Sequence, residues 1–288
     1  MIRGSIVALI TPFTEDNKIN FNKIRELLDF HINNQTDAIL LFGTTGEGFS
    51  LSIKEKIKIV KLVYKHVKNK IPIIINAGTN STWETIKNIK NFNKFRPYAF
   101  LVITPYYNKT NEEGVFNHYK EIIKYSDSPL IIYNVPSRTA YDISINNIKR
   151  LSLEEKIIGI KEASNDINKL KKLSKLQSEK FYWYSGNDNR LIDDLKLGAK
   201  GLVGVVTNIF PKEIKSICLS YSKQDFEHAN AEYEKLKEII NVLSIDINPI
   251  PIKEMMNLFS FNVGGFRLPL FRLSEEKLLM VKGVIDKL

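Results

Sequence analysis

Eight short apolar runs, recurring along a chain of 288 residues, constrain the fold more than any other feature. They are SIVALI (5–10), AILLF (38–42), IPIIINAG (71–78), AFLVITP (99–105), PLIIYNV (129–135), IIGIKEA (157–163), FYWYSG (181–186) and GLVGVV (201–206). They lack polar alternation, which is the pattern of parallel strands buried on both faces. Amphipathic stretches fall between and after them at 22–34, 53–68, 82–93, 114–124, 144–151, 166–176, 188–197 and 211–220. Eight strand–helix units in tandem predict an α/β fold closed into a (β/α)8 TIM barrel. An open doubly wound sheet is the alternative, but the regular units and the lack of a GxGxxG phosphate loop favour closure. Three further helical patterns at 223–243, 250–260 and 275–287 predict a C-terminal three-helix appendage. The expected organisation is a barrel domain over 1–222 and a helical domain over 223–288.

Composition excludes several classes of function. The formal charge is +10, from 42 Lys+Arg against 32 Asp+Glu. The lysines are spread through helical segments such as 53–70 and 167–176, with no Arg-rich arm or interleaved aromatic pattern, so no nucleic-acid partner is expected. The four histidines, His31, His66, His118 and His228, show no metal-ligand spacing, so no metal is expected. Cys218 is the only cysteine; it cannot form an intrachain disulfide and reads as a small buried apolar residue. The apolar run near the N-terminus is too short for a signal-peptide core, and no segment reaches the length of a membrane span. A cytoplasmic protein is expected.

Barrel enzymes place their chemistry at the C-terminal ends of the strands. Polar and glycine-bearing segments collect there: GTTGEG, TPYYN, YNVPSRT, KEAS and SGND. Lys161 ends the apolar run of the sixth unit, where desolvation favours the neutral amine that attacks a carbonyl. It is therefore a candidate Schiff-base lysine. Gly43-Thr44-Thr45-Gly46-Glu47 reads either as a tight turn offering backbone N–H groups and hydroxyls to a small carboxylate, or as an ordinary βα turn. Tyr133 ends the fifth strand and Arg138 lies in the loop after it. A phenol there relays protons and a guanidinium fork holds a carboxylate, although singly they read as a rim aromatic and a surface charge. Of the adjacent Tyr106 and Tyr107, one is expected to face the pocket and the other a partner surface.

The segments GTTGE, TPYYN, YNVPSRT, GIKEAS and NPIPIK (248–253) occur in an order and spacing that resemble the dihydrodipicolinate synthase branch of the N-acetylneuraminate lyase/dihydrodipicolinate synthase class I aldolase superfamily. The resemblance covers essentially the whole chain. It implies a lyase that condenses pyruvate with L-aspartate 4-semialdehyde in lysine and diaminopimelate biosynthesis, with no cofactor. Lys161 matches the imine-forming lysine, Tyr133 and Thr44 match the proton relay, and Tyr107 matches a relay phenol lent by a neighbouring subunit. Thr44 and Thr45 match the residues that hold pyruvate's carboxylate, and Arg138 one that binds the carboxylate of the semialdehyde. Gly186 and Val203, in the seventh and eighth units, complete the expected substrate-binding set. The implied assembly is a homotetramer built as a dimer of dimers.

Two positions depart from the family pattern: Asn187 stands where an aspartate is usual and Gly204 where a serine is usual. Neither touches the relay. Asn80, Glu84 and Tyr106 match the lysine-binding site of feedback-inhibited members, whereas Phe49, Ile53 and Lys56 replace its usual small polar residues. A cationic Lys56 competing for Glu84 predicts weak or absent lysine inhibition. Sister enzymes such as N-acetylneuraminate lyase share the imine chemistry, but Arg138 favours a carboxylate-bearing second substrate. A catalytically silent barrel would have only the charge of the chain in its favour.

Overall fold

The computed structural model describes residues 1–287. Eight strands close in sequential order into a barrel: β1 (Gly4–Ala8), β2 (Ala38–Leu41), β3 (Ile73–Asn76), β4 (Ala99–Ile103), β5 (Leu130–Asn134), β6 (Ile157–Glu162), β7 (Tyr182–Ser185) and β8 (Gly201–Gly204). Each of the eight apolar runs carries one strand, shorter than the run because its last residues leave the ladder for the following loop. The strands are buried on both faces, as their unbroken apolar character requires.

The helices are α1 (Phe21–Asn33), α2 (Ile53–Val67), α3 (Thr82–Phe92), α4 (Glu112–Lys124), α5 (Pro136–Thr139), α6 (Ile145–Leu151), α7 (Ile167–Ser174), α8 (Leu191–Lys196), α9 (Pro211–Ser222), α10 (Phe226–Val242), α11 (Ile250–Leu258) and α12 (Glu275–Ile285). Local chemistry sets their starts. Ser52 and Glu55 form a capping box on α2, and the Asp166 carboxylate accepts from the Asn168 and Lys169 N–H groups at the start of α7. The one helix that the hydrophobic pattern does not anticipate is α5, a single turn with Pro136 at its first position. Proline's fixed φ is already helical there, and its missing N–H would have had no partner. Arg138 consequently stands on a helical turn instead of an open loop.

Two compact units make up the chain. One comprises residues 1–3 and 72–203 and carries β3 to β7 with the first residues of β8. Within it, β5 and β6 pair with Tyr133 opposite Lys161 and Asn134 opposite Glu162, after a register shift at Leu130/Ile131. The other comprises residues 4–71 and 204–288 and carries β1, β2 and the C-terminal helices. In that unit α10 packs on α9 and on α12, which makes the C-terminal segment a continuous helical layer.

Candidate active site

In the first unit, a phenol and an amine share a rung of the sheet. Tyr133 and Lys161 are paired residues on β5 and β6, each one position before the strand ends. Strand residues alternate between faces. Glu162, the next residue, meets Lys169 of α7 and so faces the helical layer; Lys161 and Tyr133 therefore face the barrel interior. Lys161 is 7% exposed, and its Nζ lies 4.6 Å from the centroid of the Tyr133 ring. Burial pulls its pKa from 10.5 to about 8, the negative charge of Asp188 opposing and the positive charge of Arg138 assisting. With a pKa near 8, about a tenth of the amine is neutral at pH 7, against roughly one part in three thousand for an ordinary lysine.

Gly186 keeps space for this side chain. A Cβ at position 186 would stand 3.1 Å from Lys161 Cε and 2.9 Å from Ala163 Cβ, so any larger residue would crowd the lysine. Val203 is buried in β8, and Arg138 is exposed on α5. Tyr107 is 91% exposed and holds φ at 66°, a backbone conformation that is costly for an aromatic residue. Asn187 closes a small turn, its N–H donating to Ser185 Oγ at 3.2 Å and its carbonyl accepting from the same hydroxyl at 3.1 Å.

In the second unit, the GTTGE segment differs in detail from a simple glycine-based anion loop. The left-handed residues are Phe42 and Glu47, not the glycines. Gly48 is needed instead for close approach, since a Cβ there would fall 2.0 Å from the Phe42 carbonyl oxygen. The N–H groups of Glu47 and Gly48 donate to the carbonyls of Thr44 and Gly43 at 3.0 and 3.2 Å, so the turn spends them on its own closure. Thr44 is half-buried, and Thr45 is buried with its Oγ1 accepting from Asn248 Nδ2 at 3.0 Å.

Sequence reasoning missed the anchor beneath this turn. Glu47 and Lys253 form a fully buried ion pair at 2.8 Å. Lys253 Nζ also donates to the Thr11 carbonyl at 3.0 Å and to the Gly265 carbonyl, and it lies over the rings of Phe13 and Phe266. The second Glu47 oxygen accepts from the Arg267 N–H at 3.2 Å, and the Arg267 guanidinium grips Glu55. This fork holds the Glu55 carboxylate near pKa 2. The signal was present as two motifs, GTTGE and NPIPIK, each carrying one member of the pair.

Among the residues matched to a lysine-binding site, Tyr106 hydrogen-bonds the Asn80 backbone, and burial pushes its phenol up. Glu84 pairs with Lys87 on the same helix at 3.5 Å, a partner that the sequence reading did not assign. Lys56 is partly buried over the Phe42 ring at 5.9 Å, and desolvation lowers its pKa. Two histidines have structural settings: His31 bonds Thr36 and His118 bonds Thr82, both at 2.9 Å, and burial lowers them to about 3 and about 4. Among the described residues, no helix is long and apolar enough to cross a membrane.

Comparison with known proteins places these features in context. Residues 1–288 match the dihydrodipicolinate synthetase family. The 4-hydroxy-tetrahydrodipicolinate synthase of Clostridium perfringens is 39% identical over 98% of this chain and 97% of its own. The chloride-inhibited dihydrodipicolinate synthase of Acinetobacter baumannii, solved with pyruvate, superposes with a TM-score of 0.96 at 35% identity, covering 99% of this chain and 98% of that one. A monomeric dihydrodipicolinate synthase variant superposes with a TM-score of 0.96 at 33% identity, covering 99% and 96%.

Proposed function

Because the chain belongs to the dihydrodipicolinate synthetase family along its whole length, we infer that it is a Schiff-base lyase with 4-hydroxy-tetrahydrodipicolinate synthase activity. It condenses pyruvate with L-aspartate 4-semialdehyde in lysine and diaminopimelate biosynthesis, as an enzyme of the cytoplasm. The observation that carries this reading is the desolvated Lys161 beside Tyr133, with its pKa at about 8.

The neutral Lys161 amine adds to the keto carbon of pyruvate, and loss of water gives an imine. That imine is an electron sink, so loss of a methyl proton leaves an enamine carbon that attacks the semialdehyde. Tyr133 sits on the same rung as Lys161 and moves protons in these steps with Thr44 and Tyr107. Thr45 holds the pyruvate carboxylate, with its hydroxyl oriented by Asn248. Arg138 binds the carboxylate of the semialdehyde, and its charge also helps to keep Lys161 neutral. Gly186 and Val203 give the adduct room.

Tyr107 fits the role of a phenol lent to a neighbouring subunit, since it is the most exposed large residue of its loop and is held in a left-handed conformation. The assembly proposed with it is a homotetramer, built as a dimer of dimers. Borohydride reduction in the presence of pyruvate tests the central step. The expected result is one reduced pyruvate adduct on Lys161, formed faster as pH rises through about 8. No adduct in folded protein, or an adduct that persists when Lys161 is replaced by methionine, would overturn the reading.

A further inference from the structure

Behind the Tyr133–Lys161 rung lies a buried charged cluster that the proposed chemistry does not use. Glu162 and Asn134 form the next rung, and both point toward the helical layer. Glu162 is 1% exposed and Lys169 of α7 is 7% exposed. Glu162 Oε1 accepts from Asn134 Nδ2 at 2.7 Å and from the Ser164 N–H at 2.8 Å. Its Oε2 has no hydrogen bond among the described residues, and Lys169 Nζ stands 3.2 Å away as the charge that compensates it. Lys169 also donates to Asp142, whose Oδ1 accepts from Asn134 Nδ2 at 2.7 Å. Asn134 Oδ1 accepts from the Ile143 N–H at 3.2 Å, which ties the chain after α5 into the same cluster.

We propose that Lys169 and Glu162 are a positioning pair for the imine-forming step: by clamping the Asn134–Glu162 rung, they fix where Lys161 and Tyr133 stand relative to one another. The inference rests on Lys161 being the imine lysine. Three observations carry it. The clamp is one residue from each reacting side chain, so a shift of its rung moves both.

The register between β5 and β6 is broken earlier, since Leu130 pairs with Ile157 and Ile131 with Gly159, skipping Ile158. An extra residue of this kind re-aims the side chains beyond it, and a one-residue slip exchanges the inward and outward faces. The ladder upstream of Lys161 is therefore not a regular guide to its position, and the polar clamp downstream supplies that guide. Finally, the charges that shift the Lys161 pKa are those of Asp188 and Arg138. Glu162 and Lys169 carry opposite charges 3.2 Å apart, which leaves geometry as the main route by which the pair acts on the neighbouring rung.

Displacing a reacting group by about 1 Å costs on the order of 100-fold in rate. Pre-steady-state borohydride trapping at saturating pyruvate, across pH, is the test. Lys169→Met is expected to slow the limiting, high-pH rate of trapping per folded molecule by about 10- to 100-fold. Lys169→Arg keeps a cation within reach of both carboxylates and is expected to restore the rate to within about threefold. Glu162→Gln keeps the shape and the Asn134 and Ser164 bonds but removes the charge that meets Lys169, and it decides the matter if Lys169→Met does not fold. Wild-type trapping in either folded variant would overturn the proposal, as would a displaced pH midpoint at an otherwise unchanged limiting rate. Failure of the unmodified protein to trap pyruvate would instead overturn the imine reading itself.

Discussion

Lys161 is expected to destabilise the fold that it serves, and replacing it with methionine measures by how much. Burial lowers its pKa to about 8 from 10.5. Below pH 8 the lysine is charged in both folded and unfolded chains, and the folded state bears the full desolvation penalty. Between about 8 and 10.5 the folded lysine is neutral while the unfolded one is still charged, so stability rises with pH across this window. Above 10.5 both are neutral and the penalty is gone. The pKa difference corresponds to about 3 kcal/mol at pH 7. Methionine has a similar length and no charge, so Lys161→Met should stabilise the protein by about that amount. For a chain of this size, 3 kcal/mol raises the melting temperature by about 5 °C. Thermal unfolding of both proteins from pH 7 to 10.5 reads the effect directly. The variant should melt higher at pH 7, and the gap should close as the pH approaches 10.5. A variant that is less stable at pH 7, or a gap that does not depend on pH, would refute the burial argument for the reactive amine.

The Glu47–Lys253 pair has the opposite expectation, because here the charges compensate one another. Lys253→Met leaves the Glu47 carboxylate buried without its cation and should cost about 3–5 kcal/mol, with much of the loss recovered in the double variant Glu47→Gln, Lys253→Met. Urea unfolding of the unmodified protein and the two variants checks this, and a single variant as stable as the double would contradict it. L-Lysine should inhibit weakly or not at all, since Glu84 already pairs with Lys87 and Lys56 adds a cation to the matched set. Steady-state assays with pyruvate and the semialdehyde test this, and inhibition at micromolar lysine would sink it.

The barrel was legible because its strands are buried on both faces, which leaves uninterrupted apolar runs with helical patterns between them. Burial does not write a strand's last residue into the sequence, so the predicted runs overreach into the loops. The helical turn of α5 was invisible for a related reason: four residues are too few to show a period, and only Pro136 hints at it. Lys161 was legible because a lysine closing an apolar run is unusual. The inward turning of the Glu47 and Gly48 N–H groups was not, since a glycine-rich segment is compatible with both offering and consuming its donors. The clamps were least legible. Lys253 meets Glu47 across 206 positions of sequence, and no local pattern encodes such a pairing.

Among the described residues three lysines are buried, and their partners sort them. Lys169 lies between Asp142 and Glu162, and Lys253 lies against Glu47, so each has a carboxylate partner within ion-pair distance. Lys161 makes no ion pair among the described residues. Its Nζ lies over the ring of Tyr133, and the opposing influences of Asp188 and Arg138 leave desolvation dominant. Burial alone therefore does not single out a nucleophilic lysine in a chain with 42 basic residues. What singles it out is burial without a paired carboxylate, because desolvation then brings the pKa down toward physiological pH, where part of the amine is neutral and able to add to a carbonyl. The paired lysines are instead held in ion pairs, one behind the Tyr133–Lys161 rung and one beneath the Thr44–Thr45 turn.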